Sequence, residues 1–161
     1  GPLINDKQAA KVKEQIDDAV AKGATVALGG SVKGRYVEPT ILLNVTPDML
    51  VYRDETFGPV VPVIPFATDD QAIAIANDTE YGLSSGVITR DESRALAIAN
   101  RLETGMCHVN CSSVNDEPHV PFGGSKASGL GRHGGRWSHE TFTETRWITL
   151  ERGGRPFPPM F

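Results

Sequence analysis

An α/β fold, with a mostly parallel sheet and flanking helices, is what this sequence predicts. Three observations carry that expectation. Segments with an apolar residue every three or four positions alternate with short β-branched runs. Val60 to Phe66 is apolar on both faces, the pattern of a strand buried on both sides. The 161 residues are 39% apolar and 22% charged, enough for one packed domain and too apolar for disorder.

Lys7 to Lys22 reads as a helix, because Val12, Ile16 and Val20 fall on one face and Gly23 supplies a stop. Thr25 to Leu28 is a short strand, closed by Gly29-Gly30. Tyr36 to Leu43 is a second strand, with Pro39 marking an edge or a bulge. After Val60 to Phe66, Asp69 or Asp70 caps a helix that runs to about Asn77, and Tyr81-Gly82-Leu83 breaks it. Ser85 to Thr89 is a strand. Asp91 then caps a helix whose stripe is Ala95, Ile98, Ala99 and Leu102, and Gly105 ends it. Met106 to Asn110 is a further strand. A long glycine-rich loop follows, from Cys111 to about Gly135. Thr145 to Glu151 returns to strand character around Trp147 and Ile148, before an irregular tail.

Composition excludes several classes. There are 16 basic and 20 acidic residues, a net charge of −4, so nucleic acid is not the expected partner. A membrane helix needs about 20 apolar residues, and the run from Val60 is broken by Pro62 and Pro65. No basic segment leads an apolar one at the start, so no signal peptide is expected. The chain begins at Gly1 rather than Met, so a processed or partial chain is expected. Two cysteines are too few for a disulfide framework, which points to a reducing, cytoplasmic compartment. The Asn-x-Ser/Thr triplets at Asn44, Asn77 and Asn110 then carry no sugar.

Most chemical candidates have a plain structural reading. Gly129-Leu130-Gly131-Arg132-His133-Gly134 matches G-x-G-x-x-G, but loop sequence precedes it where a dinucleotide fingerprint requires a strand. Its glycines are expected to supply unusual backbone angles. Cys107 lies in an apolar strand, and neither it nor Cys111 has zinc-ligand spacing around it, so no metal is expected. Cys111, at a strand end, is the more open thiol, but no general base is evident beside it. His119, His133 and His139 read as polar loop residues. Asp116 and Glu117 are adjacent in an extended segment and point to opposite sides. Glu55-Thr56-Phe57-Gly58-Pro59-Val60 is different. It places a carboxylate and an aromatic ring at the mouth of a sheet, where α/β proteins bind ligands. A carboxylate there accepts bonds from ribose hydroxyls, and a ring packs on a flat base.

These residues resemble a known family. Glu55 to Val60 is similar to the E-x-F-G-P-V element of NAD(P)-dependent aldehyde dehydrogenases. Asn77 to Val87 is similar to their N-x-x-x-Y-G-L-x-x-x-V element, and Gly105 to Asn110 to G-x-x-x-x-N. Pro121 to Arg132 resembles P-F-G-G-x-K-x-S-G-x-G-R, and Gly1-Pro2-Leu3-Ile4 fits G-P-L-I. The elements occur in the family's order and cover nearly the whole chain.

The resemblance implies the C-terminal part of a catalytic domain over residues 1–143, with an oligomerisation strand and tail over 144–161. Family members are about three times longer, as multidomain chains. It implies that the nucleophilic cysteine, the base glutamate and the dinucleotide domain lie upstream. No catalytic residue is therefore expected here, and the chain alone is expected to be inactive. Glu55 and Phe57 would bind NAD or NADP. Phe122, Val114 and Asn115, with the loop from Cys111 to Val120, would line the tunnel for a small aldehyde. Thr145 to Leu150 would pair in a homo-oligomer. Asn115 to Phe122, with Phe142 to Thr149 and Pro156-Phe157, resembles the aromatic-aldehyde branch, which includes vanillin, salicylaldehyde and benzaldehyde dehydrogenases. Two other readings are open: a non-catalytic assembly module that pairs through the terminal strand, and a thiol enzyme using Cys111.

Overall fold

Asn5 starts the first helix. Its side chain accepts the Gln8 N–H at 2.8 Å, so one of the unpaired donors at the helix start is satisfied. The helix, α1 (Asp6–Ala21), buries Ala9, Val12, Ile16 and Ala19 along one stripe and stops before Gly23, whose φ is 102°. In the computed structural model, which describes residues 1–154, the chain divides into two compact units, Gly1–Thr79 and the segment from Glu80 onward. The division falls inside the 1–143 segment expected to form one piece.

In the first unit, β1 (Thr25–Leu28) pairs antiparallel with β4 (Thr40–Leu43). Between them lies a small hairpin of β2 (Val32–Lys33) and β3 (Tyr36–Val37). The single strand expected from Tyr36 to Leu43 is thus two strands in two sheets, divided at Pro39. Proline lacks the N–H a continuous ladder needs. β4 pairs parallel with β5 (Val60–Val63), with Ile41 opposite Val61, Leu42 opposite Pro62 and Leu43 opposite Val63. The sheet order is β1-β4-β5. Leu42 and Val60 turn inward and join Val12, Ile16, Ala19, Ala24, Val45, Met49 and Val51 in one core. Each large aliphatic side chain fully buried there contributes about 1.5–3 kcal/mol.

The other sheet face carries Leu28, Ile41, Leu43, Val61 and Val63, because paired residues share a face. Leu28, Val61 and Val63 are exposed. The expectation that Val60 to Phe66 is buried on both sides is therefore corrected. The strand ends at Val63, Phe66 is exposed, and the core lies on one side of the sheet only among the described residues.

Two short helices complete this unit. α2 (Leu50–Arg53) has no side-chain cap of its own, but the Leu50 N–H donates to Asp18 at 2.8 Å. The Asp18 carboxylate, held by Lys22 and then by that N–H, stays below the usual carboxylate range. α3 (Asp69–Asn77) is capped by Thr68, not by Asp69 or Asp70; the Thr68 hydroxyl accepts the Gln71 N–H at 3.2 Å.

The Tyr52 hydroxyl of α2 donates to the Asp78 carboxylate at 2.8 Å. Burial first, and then Asp78, push the phenol up from 10.0 to about 12. A raised pKa means that the folded state holds this proton more tightly than the unfolded chain does. The stabilisation is complete below pH 10.0 and is lost as the pH rises through about 12. We expect one tyrosine to ionise late in an alkaline absorbance titration, and Tyr52→Phe to remove that late component. A titration curve identical in wild type and variant would refute the assignment.

In the second unit, β6 (Tyr81–Gly82) pairs antiparallel with β9 (Ser125–Lys126), and β7 (Ser84–Val87) pairs parallel with β8 (Met106–Val109). α4 (Glu92–Ala99) joins β7 to β8 and is capped by Asp91, whose side chain accepts the Arg94 N–H at 3.0 Å. α5 (Gly135–Phe142) follows the glycine-rich loop. The expected mostly parallel sheet is corrected. Among the described residues there are four small sheets, and only β4–β5 and β7–β8 are parallel pairs. Parallel pairing needs a crossover, whereas β1 and β4 are linked through a hairpin.

The expected terminal strand is also corrected. No strand forms over residues 143–150, and Trp147, Ile148 and Leu150 are exposed. A strand exists only with a partner edge, and none of the described residues pairs with this segment. Pro156-Phe157 lies outside the described residues.

Candidate functional site

The segment after α2 runs along α1 and is held there by its backbone. Gln15 Nε2 donates to the Asp54 carbonyl at 3.3 Å, and Lys11 Nζ donates to the Glu55 carbonyl at 2.6 Å. Gln8 Nε2 donates to the Thr56 and Phe57 carbonyls at 2.6 and 3.2 Å. Gln8, Lys11 and Gln15 share a helix face by their spacing. Four consecutive carbonyls are therefore gripped from one helix, and the side chains of Glu55 and Phe57 are left free to project.

Both do project. Glu55 is exposed, and its carboxylate has no hydrogen bond or ion pair among the described residues. Phe57 is 73% exposed and has φ of 45°, a left-handed conformation that a bulky residue rarely adopts. A large exposed ring on strained, anchored backbone is unfavourable for the folding of this chain alone. Gly58 permits the close approach: a Cβ there would lie 2.7 Å from Val12 Cγ2, inside the core stripe of α1.

The other predicted residues lie in the second unit. Phe122 is half-buried and locked by a two-way backbone pair with His133, at 2.7 and 2.8 Å. Its loop is pinned at several points. The Arg132 guanidinium donates to the Gly124 and Gly131 carbonyls at 2.7 and 2.8 Å. The Ser128 hydroxyl accepts the Gly82 N–H at 2.9 Å, and Lys126 pairs with Glu103 at 2.6 Å. Gly105 packs against it so closely that a Cβ would sit 1.8 Å from the Gly123 carbonyl oxygen.

Near Val114 and Asn115 the backbone is tied, the Val114 N–H donating to Ser112 Oγ at 3.1 Å and Ser84 Oγ donating to the Ser113 carbonyl at 2.6 Å, but the side chains of both residues are open. They lie in the exposed run 111–120, with Val114 90% exposed. Cys111 is exposed and Cys107 half-buried. Among the described residues no cluster of His, Cys, Asp and Glu could hold a metal ion, and no helix is long and apolar enough to cross a membrane. In the G-x-G-x-x-G stretch, Gly129, Gly131 and Gly134 all have positive φ, as expected of a loop with unusual backbone angles.

Glu55 and Phe57 stand in a recognisable sequence motif, whereas Gln8, Lys11 and Gln15, which hold their backbone, do not. The available signal was Gln15. It is a polar residue only 1% exposed, set between Val12 and Ile16 on the apolar stripe.

A sequence model described as the aldehyde dehydrogenase family matches residues 1–148. The chain belongs to the aldehyde dehydrogenase family. This aldehyde dehydrogenase chain is 46% identical over 158 residues to a vanillin dehydrogenase from Pseudomonas fluorescens, covering 98% of this chain and 33% of that one. It superposes on the crystal structure of a salicylaldehyde dehydrogenase from Pseudomonas putida G7, complexed with salicylaldehyde, with a TM-score of 0.92 and 42% identity. That match covers 98% of this chain and 33% of the other. A Mycobacterium tuberculosis aldehyde dehydrogenase complexed with NAD+ matches with a TM-score of 0.88 and 36% identity, over 97% of this chain and 33% of that one. The chain therefore spans about a third of the length of these aldehyde dehydrogenases.

Proposed function

We propose that this chain is the C-terminal part of the catalytic domain of an NAD(P)-dependent aldehyde dehydrogenase that oxidises an aromatic aldehyde to the acid. One observation carries the reading: an exposed carboxylate and an exposed ring, Glu55 and Phe57, stand two residues apart on backbone anchored to α1. The order of the sequence motifs supports the C-terminal placement. The similarity to a vanillin dehydrogenase and to a salicylaldehyde dehydrogenase supports the aromatic substrate.

The residues fit a dinucleotide. An ionised Glu55 accepts hydrogen bonds from the two hydroxyls of a ribose, and the Phe57 ring offers an apolar face to a flat base. Bound there, the cofactor would supply a hydride acceptor. The protein's own contribution is placement, since a ribose held by a fixed carboxylate restricts the attached base to few orientations. In the second unit, the pinned Phe122 presents an aromatic wall, and Val114 and Asn115 line the approach for the aldehyde. The thiolate nucleophile and the carboxylate base belong to the remaining two-thirds of the parent. The exposed Trp147, Ile148 and Leu150 are the contact for a second copy in a homo-oligomer.

The test is turnover. The full-length protein is expected to reduce NAD+ or NADP+ with benzaldehyde or vanillin, and to do so more efficiently than with succinate semialdehyde. The 161-residue chain alone is expected to give no turnover. Turnover by this chain alone, abolished by Cys111→Ala, would overturn the assignment in favour of a thiol enzyme.

A further inference from the structure

Gln15 is a buried polar residue with only half of its amide in use. It is 1% exposed and lies on the stripe that Val12, Ile16 and Ala19 place in the core. Its Nε2 donates to the Asp54 carbonyl at 3.3 Å. Its Oε1 is buried and has no partner among the described residues. An unsatisfied buried acceptor costs stability, and an apolar side chain of the same length would avoid that cost. Folding alone therefore does not favour glutamine at this position.

What the amide does is hold one atom. Asp54 is the residue at which α2 ends; its N–H closes that helix onto the Leu50 carbonyl at 2.8 Å. Its carbonyl, on the other side, is the first of the four gripped by α1. Gln8 and Lys11 reach the loop from partly open positions, whereas Gln15 alone reaches it from inside the core. A buried, close-packed anchor moves less than a solvated side chain. Gln15 thus fixes the point from which Glu55 departs.

We propose that Gln15 is a positioning residue for the Glu55 carboxylate, acting through the Asp54 carbonyl and touching neither cofactor nor substrate. This rests on the reading of Glu55 as a cofactor ligand. The amide sets the register of the loop on α1, and the orphan oxygen is the stability cost of carrying that donor in an apolar stripe.

The test uses the full-length enzyme. Gln15→Met keeps the length and removes both the donor and the orphan acceptor; Gln15→Leu serves as a second, shorter replacement. Either is expected to raise the KM for the dinucleotide about three- to tenfold, the effect of one hydrogen bond of ordinary net strength. The KM for the aldehyde and the thermal midpoint are expected not to fall. Amide exchange at residues 55–58 is expected to quicken. A merely structural role would instead lower the midpoint and leave the cofactor KM unchanged, and that outcome overturns the proposal. Glu55→Ala separates the two possible failures. If Glu55→Ala raises the cofactor KM and Gln15→Met does not, the positioning role falls and the cofactor reading stands. If neither raises it, the cofactor reading falls and the positioning role falls with it.

Discussion

In the full-length protein, Glu55→Ala is expected to raise the KM for the dinucleotide about 10- to 100-fold while leaving the KM for the aldehyde unchanged. The magnitude follows from losing hydrogen bonds to an ionised acceptor, at about 1.5–3 kcal/mol in total, with 1.4 kcal/mol for each factor of ten. The carboxylate is exposed and holds no other group among the described residues, so the thermal midpoint should not move. The loop itself is fixed through backbone carbonyls, which alanine retains. Steady-state kinetics with the dinucleotide varied at saturating aldehyde would measure the effect. An unchanged cofactor KM would remove Glu55 from the site.

Gly105→Ala is expected to cost the second unit about 3 kcal/mol or more. The new methyl would sit 1.8 Å from the Gly123 carbonyl oxygen and 2.8 Å from its carbon. Neither atom belongs to a flexible side chain that could swing away. Relief requires the Gly123 backbone to shift, and that backbone is joined to the Phe122–His133 pair and the Arg132 contacts. The packing that holds Phe122 should loosen together with the strand start at Met106. Gly153→Ala is the matched control, since nothing lies within 4 Å of a Cβ there. Chemical denaturation followed by amide exchange at residues 120–135 would report the difference. Equal stability for the two variants would show that the loop adapts freely.

The local elements were legible where local chemistry decides them. α1 forms close to where apolar spacing and Gly23 place it, although Val20 of that spacing is exposed and Ala19 is buried instead; α4 starts after Asp91 as expected but ends at Ala99, short of Leu102 and Gly105. α2 was not legible, because a four-residue helix has no periodicity and its start is supplied by Asp18, 32 residues away. Burial was legible only in part. The apolar run at Val60 to Phe66 encodes a strand that needs cover on two sides, and the core found here covers one. Trp147 and Ile148 have strand character in sequence, but no edge among the described residues pairs with them, so they stay exposed and unpaired. The carboxylate and ring of the candidate site were visible as a compact motif. The grip that holds them was not, because Gln8, Lys11 and Gln15 are 39 to 49 residues from the carbonyls they reach.

Pro62 bears on how this chain behaves among its neighbours in a crowded solution. It sits within β5, which is an outer strand of its sheet among the described residues. The ladder to β4 continues in register through it, so the donor that proline lacks is one that would have faced outward. A copy of the chain approaching that rim meets an interrupted row of hydrogen-bond donors, and Pro65 shortens the row further. The rim lies beside the exposed Val61 and Val63, where fibril-like stacking would otherwise start most easily. Pro62 thus removes one outward donor from that rim, and Pro65 follows two residues after the strand ends. A proline at an outward position is compatible with an apolar strand that packs one face on a core while offering a copy of itself fewer donors to pair with.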